Sequence, residues 1–384
     1  MPRRVVVTGM GLITPLGTGV NEFWGKLIAG RDAVQEITTF DSTPYASHTA
    51  AEVSGVSFKG GDRWLYFLDT AFKGALIDSG LFARPRALEG AGIHVGTVLG
   101  GILAGQQAWA GCGAKPSSYH LYSGAGHLAE KYGLKGDTLT VSTACASGTD
   151  ALGIAYRRIL WGKADIIIAG GADTLSEFAF SGFNALRALT KTKARPFDKN
   201  RDGLVLGEGA CFLVLEEQGF AERRGAQCYG LVSGYASRSD ARHLTAPDRE
   251  GAGLAWAIQA ALASSGLKRP GYINAHGTGT PYNDVMETKA IKSAFGQGAY
   301  EIPISSVKAM IGHSFGAGGA IEAAVCLLAL KHGCLPPTIN YQEKDQDCDL
   351  DYVPLKARET AIDSAMSLSA GFGGQNAALT FEKA

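Results

Sequence analysis

Short runs of apolar, mostly β-branched residues alternate along the chain with segments in which apolar residues recur at every third or fourth position. Short apolar runs are typical of buried strands, and the periodic segments are typical of amphipathic helices. Their alternation predicts an α/β fold built on a parallel sheet. In the first part of the chain we predict a helix at 147–161 and strands at 5–7, 93–98, 138–141, 165–169 and 211–215.

The same alternation resumes after a polar stretch that follows the strand-like run ACFLVLEE. We therefore place a boundary near Ala226, which divides the chain into an N-terminal half, 1–226, and a C-terminal half, 227–384. The two halves share no residue-level repeat. The C-terminal half predicts strands at GYINAHG and around SLSAGFGGQNAALTF, and helices at 251–265, 285–295 and 317–331.

The composition is that of a folded, enzyme-sized protein. The 384 residues are 46% hydrophobic and carry 36 basic and 36 acidic side chains, which excludes a disordered chain and one that coats nucleic acid. The chain has no run of about 18 consecutive apolar residues, so we predict no membrane span. Seven scattered cysteines without a CxxC pair argue against disulfides or structural zinc and indicate a reducing, cytoplasmic setting.

A glycine-rich segment, GMGLIT at 9–14, follows the first predicted strand. It resembles a dinucleotide-binding turn but has threonine where that fingerprint requires its third glycine. No acidic residue ends a second strand at the expected distance. We therefore predict a tight turn here rather than a nucleotide site.

One cysteine stands between a predicted strand and a predicted helix, in VSTACASGTDALG. Cys145 therefore lies near a helix N-terminus, where unpaired N–H groups and the helix dipole stabilise a thiolate. Free cysteine is also among the most buried and inert residue types. This stretch alone leaves both interpretations open.

Two histidines have a similar context and favour a reactive cysteine. His276 in NAHGTGTP follows a short apolar strand, and His313 in VKAMIGHSFGAGG again precedes a predicted helix, five residues after Lys308. Such a set is typical of a nucleophile with helpers. The separation of Cys145 and His276 also suits a papain-like hydrolase, but the C-G-S-C-W signature is missing. A zinc site is disfavoured because these residues lack close ligand spacing.

The motifs resemble those of the β-ketoacyl-[acyl carrier protein] synthases, the decarboxylating condensing enzymes of the thiolase superfamily. The resemblance implies a thiolase-like α/β fold with five layers, αβαβα, built from two similar halves. His313 in GHSFGAGG is similar to the elongating type, and the presence of Cys145 distinguishes the chain from inactive chain-length-factor partners. The matching segments, in order, are TGMGLITPLG, VSTACASG, RPFDKNRDGLVLGEGA, NAHGTGTPYND, SSVKAMIGHSFGAGG, LDYVP and GFGGQN.

The resemblance also implies roles for these residues. Cys145 is expected to hold the acyl group, and His276 and His313 are expected to donate hydrogen bonds to the enolate that forms when malonyl-carrier loses carbon dioxide. The backbone N–H groups of Cys145 and Phe372 are expected to form an oxyanion hole. Phe372 is also expected to gate the acyl pocket, although a core aromatic beside a glycine-rich turn is the alternative.

Other positions are expected to support the reaction. Lys308 is expected to order the histidine loops through a network with Glu287 or Glu322, with an ordinary buried ion pair as the alternative. The resemblance requires no metal for the reaction but includes a monovalent cation site near Asn274 and Glu322. Leu99, in GTVLGG, matches a position that lines the acyl pocket.

The expected partner is acyl carrier protein, which brings the substrates on its phosphopantetheine, so we predict no other cofactor. Because the carrier is acidic, a basic docking patch is expected despite the zero net charge. Ordinary solvated surface charge is the alternative for each member. The candidate docking residues are Arg63, Lys191, Lys193 and Arg195.

The protein is expected to act as a homodimer or as the active half of a heterodimer with a chain-length-factor-like subunit, and we predict no nucleic-acid partner. Fatty acid, polyketide and polyene pathways all remain open at this stage. Two other functions also remain: a non-catalytic scaffold that binds carrier protein or a partner synthase, and a cysteine hydrolase.

Overall fold

The computed structural model describes residues 3–56, 62–111 and 119–384. Ten strands of a large mixed sheet and five short strands at its edges or in loops occur within these residues. The strands are β1 (Val5–Thr14), β2 (Gly17–Thr18), β3 (Gln35–Glu36), β4 (Thr49–Ala50), β5 (Gly92–Gly96), β6 (Thr138–Val141), β7 (Ile166–Asp173), β8 (Gly209–Glu217), β9 (Gly230–Ser239), β10 (Ile273–Asn274), β11 (Ile304–Ser305), β12 (Cys334–Leu335), β13 (Arg358–Glu359), β14 (Ser364–Gly371) and β15 (Gln375–Glu382).

The helices pack on these strands, and several begin or end where the sequence predicts. Gly333, for example, closes the last helix with the left-handed backbone that glycine favours. The α-helices are α1 (Val20–Ile28), α2 (Arg63–Asp78), α3 (Pro85–Glu89), α4 (Ile102–Trp109), α5 (Ser123–Tyr132), α6 (Ser147–Leu160), α7 (Glu177–Ala185), α8 (Gln218–Arg223), α9 (Ala252–Ser265), α10 (Pro281–Phe295), α11 (Lys308–Ile311) and α12 (Gly318–His332).

Two sets of five strands have the same order. The first set runs β1-β8-β7-β5-β6 and the second runs β9-β15-β14-β10-β11. When the strands of each set are counted along the chain, the first strand lies beside the fifth and the fifth beside the fourth in both sets. Where the sets meet, β1 pairs antiparallel with β9 through residues 5–7. The boundary near Ala226 lies between α8 and β9, and the division into two domains there stays a prediction.

Helices cover both faces of each set of strands. In the middle, α6 and α12 contact each other and strands of both sets. On the outside, α2 packs against β1 and β8, while α9 packs against β9 and β15 with α10 behind it. The layers are therefore α, β, α, β, α, which confirms the five-layered α/β fold.

The prediction of a parallel sheet is only partly correct. The strand β5 pairs parallel with β6 and β7, and β10 pairs parallel with β11 and β14. By contrast, β8 is antiparallel to both β1 and β7. A strand covered by helices on both faces is apolar throughout whichever way it runs, so an apolar run does not reveal strand direction.

The predicted tight turn at GMGLIT is wrong, because these residues continue β1 to Thr14. A β-bulge lies between Val7 and Gly9. The glycines have a packing role: a Cβ on Gly11 would stand 2.1 Å from the carbonyl oxygen of Ala71 in α2. They therefore let α2 approach the sheet backbone closely.

The middle helix explains the longest apolar stretch of the chain. Among the described residues, one helical stretch, Phe315–His332, is long and apolar enough to cross a membrane, but 89% of it is buried inside the protein. It is the core helix between the two sets of strands. A helix that is apolar on all sides fits that position.

Candidate active site

A strained turn presents Cys145 between β6 and α6. Ala144 has a φ of 51°, in the left-handed region that side chains other than glycine rarely adopt. The turn is held by Ser147, whose hydroxyl accepts from Thr143 N at 2.9 Å and donates to the Ala144 carbonyl at 2.5 Å. This strain is typical of a functional position.

The surroundings of Cys145 correct the expectation of a stabilised thiolate. Burial raises the pKa of the Cys145 thiol to about 11, although the Lys308 charge and the Phe372 backbone N–H act in the opposite direction. Desolvation therefore outweighs both of these opposing influences. At neutral pH the resting cysteine is a protonated thiol, and the sequence could not show this because the depth of burial is a tertiary property.

His276 lies in a turn after β10 that is held from α10. The carboxylate of Glu287 accepts the backbone N–H groups of His276 at 2.6 Å and Gly277 at 2.8 Å. A Cβ on Gly277 would stand 2.5 Å from the Cβ of Ser306. This turn therefore needs both the buried carboxylate and the glycine to place the His276 ring.

His313 is held through its backbone by a neighbouring extended segment. Its N–H donates to the Val205 carbonyl at 2.8 Å, and its carbonyl accepts from Gly207 N at 2.9 Å. A Cβ on Gly207 would stand 2.4 Å from the Ile311 carbonyl oxygen. The segment LVLGEGA thus supports a histidine about a hundred residues later, a role that the sequence analysis did not assign.

The tertiary structure brings the three predicted residues together. His313 Nε2 lies 3.0 Å from Cys145 Sγ, and the rings of His276 and His313 are perpendicular, with centroids 5.3 Å apart. Sγ of Cys145 and one ring nitrogen of each histidine lie within 4.8 Å of one another. A thiol is therefore flanked by two imidazoles.

Both imidazoles are neutral at physiological pH. Burial lowers the pKa of His313 to about 3, with the Lys308 charge adding to the effect. The pKa of His276 lies well below its usual range for the same two reasons and because of His313. Neutral imidazole carries one N–H donor, so each ring can donate a hydrogen bond without a positive charge.

The Nδ1 atoms of His276 and His313 argue against a zinc site. A histidine that ligates zinc almost always donates its other N–H to a carboxylate, carbonyl or water. Among the described residues, Nδ1 of His276 and Nδ1 of His313 are buried without a hydrogen-bond partner. Nδ1 therefore suits the unprotonated position of each ring, which leaves the proton on Nε2.

Lys308 forms a buried ion pair with Glu322 of α12, and their side chains are only 3% and 2% exposed. Of the two carboxylates that the sequence offered, Glu322 pairs with Lys308 whereas Glu287 holds the His276 turn. The ion pair keeps a positive charge close to both histidines, and this charge disfavours their protonation.

Two buried oxygens near this ion pair fit a monovalent cation. In the described part of the chain, Asn274 Oδ1 and Glu322 Oε2 are buried without a hydrogen-bond partner. Oxygen atoms of this kind are the ligands that hard cations take. The residues present are thus compatible with the predicted cation site.

Cys145 opens into a cavity of about 330 Å³ that both histidines also line. The buried thiol marks its inner end, whereas Leu186 and Tyr282 are 51% and 67% exposed and mark its mouth. The remaining lining residues are Phe183, Arg187, Ala188, Asp202, Gly203, Leu204, Asp240, Thr245, Ala246, Pro247, Thr278, Thr280, Pro281, Asn283, Ala370, Gly371, Phe372 and Asn376.

Phe372 lies in the turn between β14 and β15, beside the thiol. Its backbone N–H points to the sulfur of Cys145, and a Cβ on Gly371 would stand 2.9 Å from Cys145 N. The glycine therefore permits this close backbone approach. The Phe372 ring stacks on Phe183, with centroids 5.4 Å apart. The sequence analysis missed Phe183, because nothing in its segment distinguishes it from a core aromatic.

Leu99 does not line this cavity. Its backbone N–H donates to the buried carboxylate of Asp173 at 2.8 Å, and its side chain packs against a cluster that includes Phe315. Asp173 also accepts from Gly316 N at 2.7 Å, so it ties two loops together behind the site. Leu99 as an acyl-pocket residue stays a prediction.

The structure corrects one of the four candidate docking residues. The Arg63 guanidinium forms an ion pair with Glu208, which is fully buried, and the Arg63 side chain is only 13% exposed. Lys191 is exposed, and Lys193 is exposed but lies 3.3 Å from Asp32. Arg63 was chosen for its charge, and the sequence could not reveal its buried partner 145 positions away.

The remaining candidate, Arg195, donates to Thr192 Oγ1 at 3.2 Å and is half-buried. An exposed arginine that the sequence analysis missed, Arg187, lines the mouth of the cavity. Basic side chains thus lie on the segment that leads away from the mouth.

Comparison with known proteins assigns the family. Residues 2–221 match the model for the N-terminal domain of beta-ketoacyl synthase, and residues 229–342 match the model for its C-terminal domain. The ketoacyl synthase alpha subunit of the tetracenomycin polyketide synthase from Streptomyces glaucescens is 41% identical over 98% of this chain and 96% of that protein. The 3-oxoacyl-[acyl-carrier-protein] synthase 2 of Coxiella burnetii is 39% identical over 99% of both chains.

Solved structures agree with this assignment. The ishigamide ketosynthase/chain length factor is 37% identical, with a TM-score of 0.93 over the whole of both chains. A type II polyketide ketosynthase in complex with its acyl-carrier protein, AntDE:AntF, is 33% identical, with a TM-score of 0.91 over the same coverage. The fold and the cysteine–histidine–histidine site define an acyltransferase of the condensing type. This chain belongs to the β-ketoacyl synthase family.

Proposed function

We propose that this protein catalyses a decarboxylating Claisen condensation between an acyl group on Cys145 and malonyl-acyl carrier protein. The product is β-ketoacyl-acyl carrier protein, in fatty acid, polyketide or polyene biosynthesis. One observation carries the proposal: His313 Nε2 lies 3.0 Å from Cys145 Sγ, with the His276 ring perpendicular to His313 at the buried end of a shared cavity.

The first step is transfer of the acyl group to the enzyme. Cys145 Sγ attacks the thioester carbonyl carbon, and the bond from that carbon to the carrier's sulfur breaks. The departing thiolate takes up the proton that the Cys145 thiol releases. His313 stays neutral throughout, because burial and the Lys308 charge both disfavour an imidazolium.

The second step is decarboxylation of the malonyl group. The bond between the malonyl methylene carbon and the carboxylate carbon breaks, and carbon dioxide leaves. The electron pair of that bond forms the enolate of the thioester. Nε2–H groups of His276 and His313 would donate to the enolate oxygen. Donors fixed in a buried site stabilise such a charge more than water does, because they need no reorganisation.

The third step joins the two fragments. The enolate carbon attacks the acyl carbonyl on Cys145, a carbon–carbon bond forms, and the tetrahedral oxyanion accepts from the N–H groups of Cys145 and Phe372. Collapse of this intermediate breaks the bond from that carbon to Sγ and releases the Cys145 thiolate, which takes up a proton from solvent. A thiol with its pKa raised by burial favours that return to the neutral form.

Lys308 acts indirectly in this mechanism. Its ion pair with Glu322 fixes a positive charge that keeps both histidines in the neutral, donating form. A monovalent cation bound by Asn274 and Glu322 would add positive charge behind the histidines, and no chemical step passes through it. We propose no further cofactor, since the substrates arrive on the phosphopantetheine of the carrier.

The carrier protein is proposed to dock at the mouth of the cavity. Lys191, Lys193, Arg195 and the newly identified Arg187 offer basic groups to an acidic partner. Phe372, stacked on Phe183, would gate the passage from the cavity to the acyl pocket. Movement of one ring would then open the way for an acyl chain.

The protein is proposed to work as a homodimer or with a chain-length-factor-like subunit. The solved relatives include a ketosynthase with its chain length factor and one with its carrier protein. We also propose a cytoplasmic location, which is supported by six free cysteines among the described residues.

Intact-mass spectrometry of the protein incubated with acyl-carrier protein tests this function. We expect an acyl adduct that Cys145→Ala abolishes and that exposed Cys228→Ala retains, and we expect β-ketoacyl product only when malonyl-carrier is added. Absence of an adduct would favour a non-catalytic scaffold. Release of free acid without malonyl-carrier would favour a cysteine hydrolase.

A further inference from the structure

The two proposed oxyanion donors come from different halves of the molecule. Cys145 N belongs to the turn before α6, in the first half, whereas Phe372 N belongs to the turn after β14, in the second. Their separation therefore depends on how the start of α6 sits against β14. Donors of this kind must hold their positions within a fraction of an ångström.

Two side chains at the start of α6 form buried polar links to the second half. Thr149 Oγ1 lies 2.7 Å from Ser369 Oγ, and both residues are fully buried. Ser369 lies on β14, three residues before Phe372. The first link therefore joins the helix that follows Cys145 to the strand that leads into Phe372.

Asp150 forms the second link and is 3% exposed. One carboxylate oxygen accepts from Thr143 Oγ1 at 2.5 Å, on the turn that carries Cys145. The other accepts from Tyr235 OH at 2.9 Å, on β9 in the second half. The carboxylate thus connects the cysteine turn directly to β9 in the second set of strands.

The space around Thr149 leaves its hydroxyl little choice of position. A Cβ on Gly319 of α12 would stand 2.1 Å from Thr149 Oγ1 and 3.1 Å from Ser369 Oγ. The hydroxyl pair is therefore enclosed between α6, α12 and β14. A buried hydroxyl that loses its partner has no water to replace it, so such a pair fixes the contact geometry.

We propose that Thr149 and Asp150 are positioning residues that hold Cys145 N and Phe372 N at the separation an oxyanion requires. This inference rests on the proposed function, because it assigns these two N–H groups to the oxyanion hole. Neither side chain lines the cavity, so each acts through the backbone. The two histidines, which would hold the enolate, are positioned separately by Glu287 and by the segment around Gly207.

Because different residues position the oxyanion donors and the histidines, variants at Thr149 should affect acyl transfer and decarboxylation differently. Thr149→Val removes the hydroxyl at nearly constant volume and should slow acyl transfer and condensation about tenfold, with the KM for malonyl-carrier unchanged. Decarboxylation of malonyl-carrier without acyl primer should keep its rate, because it depends on the histidines. Thr149→Ser should restore acyl transfer. Asp150→Asn should resemble Thr149→Val, since the amide replaces one of the two acceptor oxygens by an NH2 donor and so changes the hydrogen bonds with Thr143 and Tyr235.

The control is a partly buried hydroxyl pair, Ser233 Oγ to Thr380 Oγ1 at 3.0 Å, which lies between β9 and β15. Ser233→Ala should not slow acyl transfer, because this pair joins β9 to β15 and does not join α6 to β14. Because Thr149 and Ser369 form one hydrogen bond, the variant that combines Thr149→Val with Ser369→Ala should be no slower in acyl transfer than either single variant.

The proposed positioning role is tested by stopped-flow measurement of acyl transfer and by measurement of carbon dioxide release on the same preparations. Acyl transfer in Thr149→Val and Asp150→Asn equal to that of Ser233→Ala would overturn the inference. An equal loss of decarboxylation and acyl transfer would overturn it as well, since that is the result of general disorder. A parent enzyme that does not condense at all would instead overturn the proposed function, together with this inference. If Thr149→Val does not fold, Ser369→Ala gives the same comparison.

Discussion

At the scale of single residues, burial dominates the chemistry of this site. The thiol of Cys145 and the rings of His276 and His313 are each less than a tenth exposed, and desolvation is the largest influence on all three pKa values. Each group is held in its neutral form as a result. The ion-paired Lys308 and Glu322 and the buried Asp173 are charged groups that act on the Cys145 thiol.

The neutral state of His313 predicts how stability depends on pH. Its pKa is about 3 in the folded protein and near 6.5 in the unfolded chain. Between these values the unfolded chain binds more protons, so stability falls as the pH falls from 6.5. His313→Asn should remove this contribution, about 2 kcal/mol at pH 5.

Denaturant unfolding of the parent protein and of His313→Asn at pH 7.5 and pH 5 measures this contribution. The loss of unfolding free energy between the two pH values should be smaller in the variant. An equal loss in both proteins would mean that His313 is already protonated when folded.

At the scale of elements, glycine sets how closely helices approach strands. On β1, a Cβ added to Gly9 or Gly11 would meet backbone or Cβ atoms of α2 and of Ser79 directly after it, and such atoms cannot rotate away as the end of a side chain can. On α12, Gly319 has the same relation to Thr149. The high glycine content, 52 residues, therefore includes packing positions as well as turns.

The contact at Gly11 predicts a large loss of stability on a small change. Gly11→Ala would place a methyl group 2.1 Å from the Ala71 carbonyl oxygen, so α2 must move, at a cost of about 1–3 kcal/mol or more. The matched control is Gly25→Ala in α1, where a Cβ meets nothing within 4 Å. That change should be neutral or stabilising, because alanine is the better helix former. Thermal unfolding of both variants distinguishes them, and equal melting temperatures would contradict the close approach.

At the scale of the whole molecule, the middle layer joins the two sets of strands. α12 belongs to the second half of the sequence but packs against α6 and β8 of the first. Its residues are buried along almost its entire length. Neither set of strands can therefore cover its inner face alone.

This arrangement predicts that the chain cannot be divided into independently stable halves. Residues 227–384 expressed alone should lack a cooperative thermal transition, because α12 would expose the apolar surface that α6 and β8 cover. Adding residues 1–226 should restore the transition and the acyl adduct on Cys145. A cooperative transition in the isolated second half would show that its core is sufficient without the first.

The sequence alone determined the α/β class, most strand and helix positions, and the three reacting residues. Periodicity reports local burial, and Cys145, His276 and His313 each follow a strand-like run in the sequence, although the short helix α11 separates His313 from β11 in the structure. The family motifs added expected roles for Lys308 and Phe372, and these roles stay predictions. These features are local, or they are motifs that occur together in one order along the chain.

Only the tertiary structure decided the rest. Arg63 forms an ion pair with Glu208, and Lys308 forms one with Glu322 rather than with Glu287. GMGLIT continues strand β1, against which α2 packs. Burial keeps the Cys145 thiol protonated. The tertiary structure also placed Phe183 against Phe372 and Thr149 against Ser369. The physical reason is the same in each case: depth of burial and the choice of a distant partner depend on how separate elements pack, and no single segment of the sequence contains that information.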